Sequence, residues 1–208
     1  MTPYLATLLE ISLYNATIPS EWIKATEVPI YKGGDGLPAT NYRPISLTSV
    51  VCKQLEQVIA GYLRQVWDKN DWLDEGQLEF RPGYSCESQV ITACQDIADS
   101  LDERVRIDAI IIDFSKAFNL VPHDQPLTKL EALGVDSRVV IWVREFLLGH
   151  TQKVRVGGQL SKEVNETSGV LRGSVLDPLL FLLYVNDIWR NINLCIRLFI
   201  DTCIIKTT

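Results

Sequence analysis

From residue 51 onward the apolar positions recur every three or four residues: Val51, Leu55, Val58, Ile59, Tyr62, Leu63 and Val66. That spacing lays one apolar stripe along a helix. The same period over Val90, Ile91, Cys94, Ile97 and Leu101 predicts a second helix, and MTPYLATLLEISLYN at the start reads as an amphipathic one. Further helices are expected over 124–133, over 137–149 and over about 174–190. In the second of these, Val139, Val140, Val143, Phe146 and Leu147 form the stripe.

Elsewhere the period changes. TEVPIYK, residues 26–32, alternates like a short strand, and the following GGDGLPATNYRP reads as loop from its Gly and Pro content. AIIIDF, residues 109–114, is a continuous β-branched run suited to a strand buried on both faces. QKVRVGG with SKEVNETS predicts a hairpin over 152–168. IRLFIDTCIIK, residues 196–206, predicts a second, with a single acid, Asp201, and one hydroxyl, Thr202, between two apolar runs. The change of character near residue 106 divides the chain into a mostly helical segment, 1–105, and a segment of strand, helices, hairpin, helix and hairpin, 106–208. That order predicts an α+β fold with a mainly antiparallel sheet packed on helices.

Composition narrows the class. A chain of 208 residues, 47% hydrophobic, is ample for one substantial core or two small lobes. A net charge of −6 weighs against a free-standing nucleic-acid binder, whose affinity comes from a basic surface, but leaves room for local basic clusters. Cys52, Cys86, Cys94, Cys195 and Cys203 are odd in number and form no C-x-x-C pair. With only His123 and His150 to add, a zinc site is disfavoured and reduced thiols in an intracellular protein, nuclear or cytoplasmic, are expected. The first residues lack the basic region of a signal peptide, and the longest apolar run, PLLFLLYV, is too short to cross a bilayer.

The chemistry centres on two acids. Asp113 closes the run AIII, and a buried carboxylate needs a positive partner. Lys116 is a structural candidate for that partner. Alternatively Asp113 converges with Asp201, an arrangement of oxygen ligands suited to Mg²⁺. Asp201 has its own bland reading as a turn residue. KGGDG, residues 32–36, lacks the G-x-x-x-x-G-K-[ST] order and reads as a flexible loop. His123 and His150 read as surface or loop residues, and Trp22, Trp67, Trp72, Trp142 and Trp189 mostly as core.

Five stretches then act together. NYRPISLTS (41–49), FRPGYS (80–85), IIIDFSKAF (110–118), GVLRGSVLDPLLFLLYVNDI (169–188) and LFIDTCII (198–205) resemble, in order and spacing, the reverse transcriptase domain of LINE-type (non-LTR) retrotransposons. The resemblance runs from about residue 18 to the last residue. It implies one continuous domain, fingers-like over 1–105 and a partial palm over 106–208, with the thumb absent. The implied activity is RNA-directed DNA polymerisation, with an RNA template, a DNA primer, deoxynucleoside triphosphates and two Mg²⁺ ions. Asp113 and the Phe114 carbonyl match the metal position on the first palm strand, and Asp201 matches the leading acid of the hairpin pair. On that basis the carboxylates of Asp113 and Asp201 are expected within about 8 Å of each other. Arg43 and Arg81 match basic fingers positions near the triphosphate and template, and Lys116 falls with the nucleotide-side residues. Phe118 matches the bulky residue that crowds the sugar 2′-position, and Gly173 and Ser174 match a small-residue turn at the nucleotide.

Departures from the pattern matter equally. Ile200, Asp201 and Thr202 stand for Ala-Asp-Asp, so the second hairpin carboxylate is a hydroxyl. Asn119 stands for Asp, Leu171 and Arg172 for Pro-Gln, Asp177 for Gly, and Gln77-Leu78-Glu79-Phe80-Arg81 for Gln-His-Gly-Phe-Arg. The expectation is a relic with polymerase activity lost or severely reduced. The alternative is a non-catalytic nucleic-acid-binding or protein-interaction relic, in which Lys53, Arg64, Arg81, Arg172 and Lys206 line one groove.

Overall fold

A computed structural model describes residues 3–73, 83, 85–104, 108–113, 117–166, 169, 173–187, 195–199 and 202–207. In chain order the elements are α1 (Pro3–Asn15), β1 (Lys24–Tyr31), β2 (Tyr42–Leu47), α2 (Val50–Lys69), α3 (Cys86–Asp102) and β3 (Asp108–Asp113). They continue with α4 (Asp124–Ala132), α5 (Ser137–Leu148), β4 (Thr151–Val156), β5 (Gln159–Leu160), β6 (Val164–Asn165), α6 (Asp177–Val185), β7 (Cys195–Phe199) and β8 (Thr202–Thr207). Short 3-10 turns cover Ala39–Asn41 and Ala117–Leu120. The chain forms two compact units, each from two separate segments: Met1–Asn70 with Phe118–Tyr184, and Asp71–Ala117 with Val185–Thr208. Among the described residues no helix is long and apolar enough to cross a membrane.

The first unit is built on its helices. Ser49 starts α2 by accepting the Cys52 N–H, 3.3 Å, on its hydroxyl. The buried face of α2 is Cys52, Leu55, Glu56, Ile59, Ala60, Leu63 and Trp67. This is rotated slightly from the stripe read off the sequence: Val58 lies exposed, and the acid Glu56 lies inside. On α5 the expected stripe is buried together with Trp142, whose ring stacks on Phe146 with centroids 5.3 Å apart. The Trp142 Nε1–H donates to Ser12 Oγ, 3.1 Å, which ties α5 to α1. α6 is shorter than expected, beginning where the Ser174 hydroxyl accepts the Leu176 and Asp177 N–H groups. Leu179, Leu180, Phe181, Leu182 and Leu183 are all buried, the signature of a helix at the centre of a core.

The sheet of this unit has the order β2-β1-β4-β5, with β6 also paired to β4. β1 and β2 are antiparallel, while β1 and β4 run parallel, a pairing the sequence did not predict. The first half of β2, Tyr42 to Pro44, falls where a loop was expected, because Pro44 and the preceding Gly and Pro residues hid it. Pro44 stands opposite Pro29, so both missing donors fall on one rung and the rest of the ladder is intact. The 32–36 stretch is not free either. Leu37 N–H bonds to Asp35 Oδ1 at 3.1 Å, Asn41 Nδ2 to the Asp35 carbonyl at 2.6 Å, and Tyr42 OH to the Gly36 carbonyl at 2.9 Å. His150 corrects another expectation. It is 3% exposed, its Nδ1–H donates to the Phe146 carbonyl, and burial pulls its imidazole down to about 4. His123, by contrast, is half-buried in a loop, with Nε2–H donating to the Gly169 carbonyl at 2.7 Å.

In the second unit, Ser85 and Ser88 cap α3 reciprocally: Ser85 Oγ accepts the Ser88 N–H at 3.2 Å, and Ser88 Oγ accepts the Ser85 N–H at 2.8 Å. α3 lies against β7. The stripe of Val90, Ile91, Ile97 and Leu101 forms on this helix as predicted but is exposed. β3, β8 and β7 make a wholly antiparallel sheet in the order β3-β8-β7.

Candidate active site

The end of β3 and the start of β8 meet. Asp113 is the register partner of Thr202, and Thr202 is also the partner of Phe199 across the hairpin. Directly opposite residues on an antiparallel ladder have α-carbons about 4.5–5.5 Å apart. The strand and the hairpin expected to carry the acids are therefore hydrogen-bonded neighbours, and the position opposite Asp113 holds a neutral residue. Asp201, between Phe199 and Thr202 in sequence, lies outside the described residues, as do Ile200, Phe114 and Lys116. The expected separation of the Asp113 and Asp201 carboxylates falls outside them too. Among the described residues no group of three or more His, Cys, Asp or Glu could hold a metal ion.

The first unit carries the other candidates. Arg43 sits exposed on β2, opposite Ile30. Phe118, in the 3-10 turn with Asn119, is half-buried and stacked on Phe181, ring centroids 4.4 Å apart. Gly173 has φ +139, and a Cβ there would collide with the Ser46 carbonyl oxygen on β2. The glycine is thus required by the close approach of this turn to β2 as well as by its resemblance. Gly173→Ala is expected to cost more than about 1 kcal/mol in urea denaturation, because the strained φ and the backbone clash act together. Arg81, Leu171 and Arg172 lie outside the described residues, which leaves the basic groove outside them as well.

Ser174 faces inward. Its hydroxyl donates to Glu56 Oε2, which also accepts the Val175 N–H at 2.6 Å and the Leu176 N–H at 3.3 Å. Glu56 is fully buried and Ser174 is 8% exposed. A carboxylate at these N–H groups meets the positive end of α6. Sequence reasoning missed Glu56. The available signal was an acid on the apolar face of α2, one turn from Cys52 and close to Ile59, where a charge is tolerated only if it is bonded. Asp177, the first residue of α6, is 2% exposed, and neither of its carboxyl oxygens has a well-aligned hydrogen bond, the Ser174 hydroxyl beside it being turned to Glu56. Burial, then the Glu56 charge, raises its carboxyl well above the usual range. Glu166 follows the same logic more mildly: burial and Glu27 push it up to about 7.

Comparison with known proteins decides the family. The family described as reverse transcriptase (RNA-dependent DNA polymerase) matches residues 30–208. The chain belongs to the reverse transcriptase family. Its relatives include the probable RNA-directed DNA polymerase from transposon BS of Drosophila melanogaster, 31% identical over 192 residues, covering 89% of this chain and 21% of that protein. The corresponding X-element polymerase of the same fly is 29% identical, with the same coverage. The Pol polyprotein of the type-1 retrotransposable element R2 from Popillia japonica is 24% identical over 83% of this chain and 24% of its own length. The expected reverse transcriptase domain of non-LTR retrotransposons is borne out. The chain spans about a fifth of the length of the fly relatives. Among solved structures, apo telomerase from Candida tropicalis, truncated from its C-terminal domain, superposes with a TM-score of 0.63 at 12% identity, covering 98% of this chain and 48% of that one. Candida albicans telomerase in complex with a fragment of telomeric RNA gives 0.62 at 14% identity, covering 100% and 43%. These likenesses bear out the reverse transcriptase fold of mixed helix and sheet.

Proposed function

We propose that this reverse transcriptase domain keeps the framework for RNA-directed nucleotidyl transfer while its polymerase activity is lost or severely reduced. The observation that carries the reading is the register of Asp113 with Thr202. It joins the strand and the hairpin to which the resemblance assigns the metal ligands. It also puts a neutral residue at the position of the second hairpin acid.

The donor set suits Mg²⁺ in kind, since the Asp113 carboxylate, the Phe114 carbonyl and the Asp201 carboxylate are all hard oxygen ligands. These three residues would hold the metal, with two acids where the family pattern has three. When bound, divalent ions neutralise the triphosphate and activate the primer hydroxyl. The remaining roles fall to side chains of this chain. Arg43, exposed on β2, offers a guanidinium to the triphosphate. Phe118, fixed by stacking on Phe181, is a stiff wall against a sugar 2′-hydroxyl. The backbone at Gly173 approaches the nucleotide without a side chain in the way. By the resemblance, Arg172 in place of Gln, Leu171 in place of Pro and Asn119 in place of Asp fall at positions of the active-site motifs. The RNA template, DNA primer and deoxynucleoside triphosphates are the ligands this reading requires.

Metal titration tests it. Mg²⁺ dehydrates reluctantly and normally relies on substrate phosphates beside one or two carboxylates. Calorimetry on the nucleotide-free protein is expected to show weak binding that Asp113→Asn abolishes. Micromolar affinity in the apo protein would contradict the impaired ligand set, and weak binding unaffected by Asp113→Asn would remove Asp113 from the site.

A further inference from the structure

We propose that Glu56 and Asp177 form a pH-sensitive clamp on the Gly173–Ser174 turn, closed while Asp177 carries a proton. The two carboxyl groups are buried together but treated unequally. Glu56 Oε2 accepts the Ser174 hydroxyl and the Val175 and Leu176 N–H groups, while its Oε1 is buried without a well-aligned donor. Asp177, 2% exposed, has no well-aligned hydrogen bond on either oxygen: the neighbouring Ser174 hydroxyl, which pulls its carboxyl down somewhat, donates to Glu56. Among the described residues no cation pairs with either acid. A buried carboxylate with only a shared hydroxyl beside it and no counter-ion is unstable as an anion, and a proton neutralises it. One acid thus holds three donors on one oxygen while its neighbour holds none well aligned, a division set by environment.

Burial and then Glu56 push Asp177 up, the Ser174 hydroxyl pulls it down by less, and Glu166 adds a smaller upward push. On α2, Cys52 faces Glu56, and burial followed by the Glu56 charge keeps its thiol protonated. From the segment after β6, Glu166 acts on Asp177, and Glu27 of β1 acts on Glu166 in turn. Glu27, half-buried, accepts a hydrogen bond from Ser46 at 3.4 Å. Ser46 is the residue whose carbonyl Gly173 abuts, so the string of acids flanks the turn on the β2 side as well as the α2 side.

The direction of the pH effect follows. Both Asp177 and Glu166 hold protons more tightly in the folded chain than in the unfolded chain, where they titrate near about 3.9 and 4.3. The folded state is favoured at low pH, and this advantage is lost as pH rises from those values through the folded ones, about 7 for Glu166 and well above the ordinary carboxylate value for Asp177. Each proton released on unfolding raises the unfolding equilibrium constant about tenfold per pH unit. Once Asp177 ionises beside Glu56, like charges meet without solvent, and the Val175 and Leu176 amides lose their hold.

Urea denaturation of the full chain at pH 5, 6, 7 and 8 tests the clamp, using Asp177→Asn and, should that variant fold poorly, Asp177→Gly. The wild-type unfolding constant is expected to rise with pH about tenfold per unit more steeply than that of either variant. Hydrogen exchange at the Val175 and Leu176 amides is expected to lose protection at high pH in the wild type alone. Infrared spectroscopy of the Glu166→Gln chain at pH 7, in which the half-protonated Glu166 contributes nothing, supplies a readout independent of the Asp177 variants: the carbonyl stretch of a buried protonated carboxylic acid. Parallel pH profiles for wild type and variants, or absence of that band, would overturn the proposal.

Discussion

Glu56→Ala is expected to destabilise the chain by about 3 kcal/mol in urea denaturation. The substitution removes a side chain that holds the start of α6 to α2 through three hydrogen bonds, to Ser174 Oγ, Val175 N and Leu176 N. Each buried donor left without an acceptor costs about 1–3 kcal/mol. Ser174 can turn its hydroxyl elsewhere and still accept the Leu176 N–H, which keeps the total below the simple sum. Glu56→Gln retains an acceptor oxygen, and its amide can donate toward Asp177. It is expected to recover at least about 1 kcal/mol of the loss. A Glu56→Ala chain as stable as the wild type would show that these hydrogen bonds do not hold the turn.

Trp142→Ala is expected to cost about 3–5 kcal/mol, the range for emptying a buried aromatic site. Trp142 is fully buried, stacks on Phe146 and donates to Ser12, so truncation opens a cavity, removes a ring contact and leaves the Ser12 hydroxyl short of a partner. Against a total stability of about 5–15 kcal/mol, that loss populates the unfolded state measurably at ordinary temperatures. Trp142→Phe keeps most of the volume and isolates the hydrogen bond, with an expected cost of about 1–2 kcal/mol. Equal losses for the two variants would assign the whole effect to the Ser12 bond.

The helices and the second hairpin were legible because their signals are local. The α5 stripe, the α3 stripe and the IIID run each declare a period within a dozen residues. The first half of β2 was hidden, since Pro44 and the Gly-rich approach read as loop, and its acceptability depends on Pro29 standing opposite, which only the register shows. The parallel pairing of β1 with β4 joins Lys24 to Thr151 and has no local signature at all. The site divides along the same line. Asp113, Phe118 and the Gly173–Ser174 turn were marked as candidates through ordered motifs, and Thr202 through its mismatch to one. Glu56 was not found, because the donors that explain it are 118 to 120 residues away. Asp177 was marked as a departure from Gly, yet its burial and the lack of a well-aligned hydrogen bond on its oxygens emerge only from the packing of α6.

Single-nucleotide incorporation on a primed RNA template, with Mg²⁺ and then Mn²⁺, tests the proposed loss of activity most directly. The variants are the wild type, Thr202→Asp, Thr202→Asp with Arg172→Gln, and Asp113→Asn as the baseline. Restoring one carboxylate returns charge without returning orientation, and well-oriented reactants account for about 7–11 kcal/mol of such a barrier. Leu171, Asn119 and Asp177 remain altered in every variant. The account predicts that the wild type and both repaired forms stay at the Asp113→Asn baseline. Robust incorporation by the wild type or by either repaired form, abolished when Asp113→Asn is added, would contradict it.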